Sequence, residues 1–211
     1  MRDDKEKITV LMVCLGRSPM AEAVLRHELS RRPDLKNRFE VVVDSAGTGA
    51  YHEGDDADDR TVATCRKHKI PISCTARAVA RADYDRFDYI LAMDNSNLQT
   101  LLHRRPPTSS AHISLFGSFD PTLLPLPHSG SPNSSHSSRS SGSSSDSKLH
   151  GKPRAISDPY YGGPSGFDKC YEQCVVYSRG FIEWLESGQG KDRAPKAGGR
   201  MSEEVRDAMG L

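Results

Sequence analysis

Short apolar runs alternate along this chain with segments whose apolar residues have helical spacing, which predicts an alternation of strands and helices. Short apolar or β-branched runs predict strands at residues 7–13, 39–43, 89–92 and 113–116. Apolar residues at helical spacing predict helices at 19–31, 58–68, 96–102 and 167–185. Ser18 is expected to cap the first helix, with Pro19 at its first position. The alternation favours a single α/β domain with a four-stranded parallel sheet flanked by helices.

One internal segment differs in composition from the rest of the chain. Serine occupies 12 of the 19 residues from 129 to 147. Such a segment cannot bury enough apolar surface to offset its ordering entropy, so we expect a disordered Ser/Pro-rich insertion at about 121–155. Residues 1–6 are predicted to be an N-terminal extension and 188–211 a polar tail. One domain, 7–187, then remains around the insertion.

Charge and composition exclude several classes of protein. The 29 basic residues nearly balance the 28 acidic ones, which argues against nucleic acid as a partner. The longest apolar run near the start, residues 8–13, is far shorter than the about 20 residues that span a membrane. Five scattered cysteines are an odd number and do not suggest a disulfide framework. We therefore expect a cytoplasmic protein with reduced thiols and no membrane partner.

The first candidate chemistry lies between the first predicted strand and helix. Cys14 follows the strand, and Arg17 and Ser18 lead into the helix. The positive end of the helix dipole, the guanidinium and the hydroxyl all favour the thiolate form of Cys14. Backbone N–H groups at a helix N-terminus also bind anions. The pattern fits a cysteine phosphatase, although a buried strand-end cysteine beside a surface arginine explains it equally well.

A second candidate site lies after the serine-rich segment, in residues 158–163, DPYYGG. A carboxylic acid beside aromatic rings suits aryl phosphate chemistry, because the leaving phenolate needs a proton. An aspartate before a proline is also an ordinary start of a turn, and the adjacent tyrosines could be core residues. Taken alone, this segment does not decide between the two interpretations.

Together these segments resemble the low molecular weight protein tyrosine phosphatase family. The matching motifs occur in the family's order, and cover most of 7–120 and 156–186. They are VCLGRSPMAEA at 13–23, DSAGT at 44–48, His52, Gly54, Asp58, Arg60, AR at 76–77, DYILAMD at 88–94, NL at 97–98, LFGSFDP at 115–121 and DPYYGG at 158–163.

The resemblance implies a two-step reaction that needs no metal or other cofactor. Cys14 would be the nucleophile, Arg17 would bind the phosphoryl oxygens, and Asp158 would be the general acid and base. The implied substrates are tyrosine-phosphorylated proteins and small aryl phosphates. The resemblance also implies supporting residues: Leu15, Gly16 and Ser18 in the phosphate loop, Tyr51, Tyr160 and Tyr161 around the substrate cleft, and Ser45 below the loop.

The phosphate loop departs from the family pattern. The family places five residues between cysteine and arginine, whereas two separate Cys14 from Arg17. Three residues span up to about 10 Å, so we expect either that Arg17 cannot fold back over the sulfur or that neighbouring residues leave the strand or helix. Cys74 also stands where the family often has a histidine that supports the loop. We expect severe loss of turnover in this chain.

Three alternatives remain open from the sequence. The gap belongs either to the protein or to a gene model that lacks three codons. If it is real, the chain could be a catalytically silent phosphatase-fold module that binds partners. An arsenate reductase is the other alternative, because such enzymes share this fold and use additional cysteines; the candidates are Cys65 and Cys74. Cys170 and Cys174, four residues apart on the last predicted helix, are most simply explained by core packing. The sequence predicts neither the oligomeric state nor the physiological substrate.

Overall fold

The computed structural model describes residues 5–14, 16–49, 53–123, 153–161, 163 and 165–188. Residues 1–4, 124–152 and 189–211 lie outside the described residues, so the structure bears on only the edges of the predicted extension, insertion and tail. Leu15 and Tyr51 also lie outside them, as does the side chain of Tyr161.

Four parallel strands form the centre of the molecule, as predicted. They are β1 (Glu6–Val13), β2 (Phe39–Ala46), β3 (Tyr89–Ala92) and β4 (His112–Leu115), in the sheet order β2-β1-β3-β4. Val13 pairs with Ala46 on one side and with Ala92 on the other. The carboxyl ends of these strands therefore lie side by side, at the edge where ligands bind in open α/β sheets.

Six α-helices surround the sheet in the described residues: α1 (Ser18–Ser30), α2 (Pro33–Arg38), α3 (Asp59–Lys67), α4 (Asp83–Arg86), α5 (Asn95–Arg104) and α6 (Gly166–Glu186). The four predicted helices are present within a few residues. The short helices α2 and α4 were not predicted, because six and four residues are too few to show a period. Phe116, predicted in the fourth strand, instead begins a 3₁₀ helix, Phe116–Phe119.

The sheet buries apolar side chains on both faces. Val10 and Met12 of β1 belong to a core cluster with α1 and α6, whereas Leu11 and Val13 belong to a second cluster with α5. This alternation is the period of two expected for a strand, and helices on both faces explain why nearly the whole strand is apolar. β1 is thus fixed from both sides, which fixes the position of the residue that follows it.

Helix α6 covers one face of the sheet and buries the aromatic side chains of Tyr177, Phe181 and Trp184 there. Phe181 is fully buried and meets Phe119 edge-to-face at 4.9 Å between ring centroids. Burying a side chain of this size stabilises the fold by about 1.5–3 kcal/mol. Within the described residues, the structure contains no helix with the length and apolar character needed to cross a membrane.

Candidate active site

Cys14 lies directly beyond the carboxyl end of β1, beside the ends of the neighbouring strands. Its amide donates to the carbonyl of Ala46 at 3.0 Å, which continues the pairing of β1 with β2. Its carbonyl accepts a hydrogen bond from the Ser18 hydroxyl at 2.7 Å. The thiol is almost completely buried, with 4% of the residue exposed. The amide and the carbonyl of Cys14 are therefore both hydrogen-bonded.

Arg17 folds back from the start of α1 and contacts the sulfur. Its Nε donates to Cys14 Sγ at 3.1 Å. Its two terminal nitrogens donate to the carbonyl of Ile156 and to a carboxylate oxygen of Asp94. Burial by itself lowers the pKa of Arg17, but Cys14 and Asp94 outweigh this effect and raise it. The guanidinium therefore stays charged and has partners on each of its three nitrogens.

This geometry corrects the expectation for the short loop. Arg17 does reach the sulfur, and it does so without unwinding its neighbours, since β1 ends at Val13 and α1 begins at Ser18. The reach of the arginine side chain replaces the missing backbone length. Both terminal nitrogens of the guanidinium are already hydrogen-bonded, one to the carbonyl of Ile156 and the other to the carboxylate of Asp94.

Ser18 does not cap α1, contrary to prediction. Arg17 is the residue before the helix, and no side chain caps that end. Ser18 is already the first helical residue, 2% exposed, and its hydroxyl points back to the carbonyl of Cys14. The prediction failed because the helix begins one residue earlier than the apolar spacing indicated, at Ser18. Gly16, also predicted in the loop, is exposed to solvent.

A buried polar cluster lies below Cys14, between β2 and α1. The Ser45 hydroxyl donates to Glu22 Oε2 at 2.6 Å and lies 3.1 Å from Cys74 Sγ. Burial raises the pKa of Glu22, although Ser45 and Arg26 oppose the effect. Burial likewise raises the pKa of Cys74, whose thiol is therefore mainly protonated. The Ser45 hydroxyl thus contacts both the carboxyl group of Glu22 and the thiol of Cys74.

An open pocket begins at Cys14. Glu53 and Arg77 lie on its rim, and the Arg77 guanidinium is paired with Asp44 and Asp83, each at 2.8 Å. Among the described residues, Arg17 is not part of the lining. The lining consists of Cys14, Ser18, Pro19, Ser45, Ala46, Gly47, Gly49, Glu53, Cys74, Ala76 and Arg77.

The segment that carries Asp158 is tied to this site through Ile156. The Ile156 amide donates to the carbonyl of Met93 at 2.8 Å, and its carbonyl accepts from Arg17. Asp158 is exposed two residues later, and its Oδ1 accepts from the Tyr160 amide at 3.0 Å. Tyr160 is 65% exposed, and its ring stacks on Arg60. The structure thus brings the loop of Asp158 and Tyr160 to the same edge as Cys14.

Two residues of the site were not predicted from the sequence. Asp94 binds Arg17 and also caps α5, since its Oδ1 accepts from the Asn97 amide at 2.8 Å. A signal for Asp94 existed, because it follows β3, the neighbour of β1, and carboxyl ends of parallel strands meet. The Ile156 carbonyl gave no signal, since every residue has one.

Comparison with known proteins adds a separate line of evidence. The family model of the low molecular weight phosphotyrosine protein phosphatases matches residues 9–131. The chain is 38% identical to the low molecular weight phosphotyrosine protein phosphatase of Schizosaccharomyces pombe, over 84% of this chain and 97% of that protein. It is 37% identical to the human protein of the same name, over 83% and 94%.

A solved structure is similar over the same extent. The protein tyrosine phosphatase from Entamoeba histolytica, crystallised with Hepes in its active site, superposes with a TM-score of 0.66 and 30% identity. The match covers 86% of this chain and 99% of that one. The sheet order, the Cys14–Arg17 contact and these matches agree, and the chain belongs to the low molecular weight phosphotyrosine protein phosphatase family.

Proposed function

We propose that this chain hydrolyses phosphotyrosine in protein substrates, and small aryl phosphates, through a cysteinyl-phosphate intermediate. The observation that carries the proposal is the contact of Cys14 Sγ with Arg17 Nε, 3.1 Å apart between the end of β1 and the start of α1. A cysteine sulfur held beside a guanidinium is a nucleophile placed where a phosphoryl group would be bound. The names of the relatives support the same substrate class.

In the first step Cys14 Sγ attacks phosphorus and a sulfur–phosphorus bond forms. The bond from phosphorus to the phenolic oxygen breaks, and the leaving oxygen takes a proton from the Asp158 carboxyl. In the second step water attacks the cysteinyl-phosphate and gives its proton to the Asp158 carboxylate. The sulfur–phosphorus bond breaks, and inorganic phosphate and the Cys14 thiolate are released. Asp158 is exposed on its loop, where a substrate can reach it.

We also propose that the short loop lowers the turnover of this chain. Bidentate phosphate binding uses two parallel N–H groups of one guanidinium edge. In Arg17 these edges already face Cys14, Asp94 and Ile156. A phosphoryl group would have to displace the Asp94 carboxylate, which itself repels a phosphate dianion. Losing two or three charged hydrogen bonds in the transition state corresponds to about 10²–10⁶ in rate.

The same contacts favour a second candidate, a catalytically silent module that binds partners through the phosphatase fold. Asp94 neutralises the arginine that would hold phosphate, and the Cys14 residue is 4% exposed. A module of this kind would keep the fold and the cleft but have no turnover. The experiment below separates the two candidates.

Arsenate reduction receives little support from the remaining cysteines. Cys65, Cys170 and Cys174 are each no more than 1% exposed. Cys74 is half-buried beside Cys14 in the pocket, and burial raises its pKa. Burial raises the pKa of Cys65 to about 11, and the hydrogen bond to Cys170, with burial, raises that of Cys174. Such thiols are poor nucleophiles at neutral pH.

We also propose a cytoplasmic location for this protein, which its five free thiols support.

The deciding experiment restores the loop length. We would insert asparagine, isoleucine and serine between Gly16 and Arg17 and measure kcat/KM for p-nitrophenyl phosphate beside the unmodified chain. We expect the insertion to raise kcat/KM by at least about 10²-fold, because the missing donors return. Equal and measurable rates in the two proteins would overturn the proposal of impairment. No hydrolysis by the unmodified chain would instead favour the silent module.

The matched control places the same three residues in a turn away from the site. Pro107 and Thr108 are exposed and lie before β4, at the amino ends of the strands, whereas Cys14 lies at the carboxyl ends. An insertion between them should leave kcat/KM unchanged. Inorganic vanadate provides a second readout, since it should bind the loop-restored chain more tightly than the unmodified one.

A further inference from the structure

Arg60 occupies a fixed position at the start of α3, near the loop that carries Asp158. Asp58 precedes the helix and accepts from the Arg60 amide at 2.8 Å. The Arg60 side chain folds back on the same carboxylate, with Nε 3.1 Å from Oδ1 and Nη2 2.8 Å from Oδ2. This double contact lowers the pKa of Asp58, so the carboxylate stays charged. The plane of the guanidinium is therefore set by its own helix start.

Two aromatic rings from different segments meet this guanidinium. Its central carbon lies 4.7 Å from the ring centroid of Tyr160 and 4.7 Å from that of Phe167. A cation at this distance is attracted to the ring face. Tyr160 belongs to the 3₁₀ turn Pro159–Tyr161, and Phe167 lies in the first turn of α6. Arg60 thus connects the Asp158 loop to both α3 and α6.

The connection continues to Asp158 through the backbone. The Tyr160 amide donates to Asp158 Oδ1 at 3.0 Å. The turn is also packed tightly from below, since a Cβ on Gly166 would lie 2.7 Å from the carbonyl oxygen of Pro159. With the ring of Tyr160 held and its backbone supported, the amide that orients the Asp158 carboxylate has a defined direction.

We propose that Arg60 is a positioning residue, which holds the Asp158 carboxyl where it can exchange a proton with the substrate by clamping Tyr160 against α3. The inference rests on the proposed function, which makes Asp158 the general acid and base. Asp158 is exposed and precedes a 3₁₀ turn of only three residues, so the local chain alone does not fix the position of its carboxyl group. The Arg60 contacts supply the missing restraint.

The test is Arg60→Gln, made in the unmodified full chain and in the full chain with the three loop residues restored. General acid assistance matters most for a poor leaving group. We expect kcat/KM for phenyl phosphate to fall about tenfold and kcat/KM for p-nitrophenyl phosphate about twofold or less, because kcat/KM reports the step in which the leaving group departs. KM should change little. Arg60→Lys keeps the charge without the planar fork, so it should lose an intermediate amount.

Arg66→Gln is the matched control, because Arg66 is an exposed arginine on the same helix α3. It should leave both rates unchanged. In the Asp158→Asn background, Arg60→Gln should cause no further loss, since the group it positions is already gone. Equal loss for both substrates, or a full loss in that background, would overturn the inference.

Two further outcomes separate this inference from the proposed function. If Asp158→Asn slows phenyl phosphate no more than p-nitrophenyl phosphate, the proposed role of Asp158 is wrong, and this inference is wrong with it. A clear effect of Asp158→Asn without one of Arg60→Gln overturns only the role of Arg60. Solvent exchange of the Tyr160 amide, measured by NMR on the unmodified chain, needs no turnover. Arg60→Gln should accelerate that exchange and Arg66→Gln should not, and an unchanged rate would contradict the clamp.

Discussion

At the scale of single residues, Cys14 is the side chain on which the proposed chemistry depends. We predict that Cys14→Ser abolishes p-nitrophenyl phosphate hydrolysis in the loop-restored chain, by at least about 10³-fold, because a serine hydroxyl is a much weaker nucleophile than a cysteine sulfur. Circular dichroism should show that the fold remains. Cys74→Ser is the control, since Cys74 is the other thiol of the same pocket. Appreciable turnover by the Cys14→Ser protein would contradict the assignment of the nucleophile.

Glu22 gives a prediction about pH and stability. Burial raises the pKa of its carboxyl in the folded state, so the folded protein holds this proton more tightly than the unfolded chain. The contribution of Glu22 to stability is therefore fully present below the ordinary carboxyl pKa and is lost as pH rises through the raised folded-state pKa. Relative to the unmodified chain, Glu22→Gln should gain unfolding free energy as the pH increases over this window.

Urea unfolding at a series of pH values measures this difference. Glu172→Gln removes an exposed carboxylate from α6 and is the control for a general change of charge. A constant difference between Glu22→Gln and the unmodified chain across the series would mean that Glu22 titrates alike in both states.

The residues of the site differ in how far the sequence reveals them. Cys14 could be placed, because the end of an apolar strand followed by a helix start fixes it locally. The partners of Arg17 could not, since Asp94 and Ile156 are 77 and 139 positions away along the chain. We expected either that Arg17 could not fold back or that its neighbours would leave the strand or helix, and both alternatives were wrong for a related reason. The expectation considered only the length of the backbone between the two residues, whereas the Arg17 side chain itself spans the distance to the Cys14 sulfur.

At the scale of elements, prediction succeeded where the period was long enough to read. β1 was predicted because it is a continuous apolar run, and α6 because its 21 residues show the helical period clearly. The 3₁₀ helix Phe116–Phe119 was not, because its apolar ends look like a continuation of β4. Its position depends on tertiary contact: a Cβ on Gly117 would lie 1.9 Å from the carbonyl oxygen of Arg154.

Close packing between elements also gives a prediction for Gly180 of α6. Alanine normally stabilises a helix relative to glycine by about 1 kcal/mol. Here a Cβ would lie 1.8 Å from the carbonyl oxygen of Phe119, which belongs to the backbone and cannot move alone. Gly180→Ala should therefore destabilise the protein by about 1–3 kcal/mol in urea unfolding. Val176→Ala, at an exposed position of the same helix, should change stability little; a stabilising Gly180→Ala would contradict this packing.

At the scale of the whole molecule, the parallel sheet organises segments that are far apart in sequence. Residues 153–161 return to the domain after the serine-rich segment and supply Ile156, which is 1% exposed and joins Met93 and Arg17. On the other side, the Leu123 amide donates to the carbonyl of Asp120 at 2.9 Å. The domain thus holds contacts on both sides of residues 124–152, which lie outside the described residues.

These flanking contacts lead to a prediction about the length of the insertion. We expect that replacing residues 124–152 by an eight-residue Gly/Ser linker preserves or raises the melting temperature. By loop-closure scaling, shortening the connection to this length recovers about 1 kcal/mol of closure entropy, or about 2–4 °C for a protein of this size. The buried Ile156 and the Asp120 turn remain in the shortened chain. A Gly/Ser segment of the original length should leave the melting temperature unchanged, because only length enters this argument. A fall of several degrees in both proteins would show that the serine-rich sequence packs on the domain.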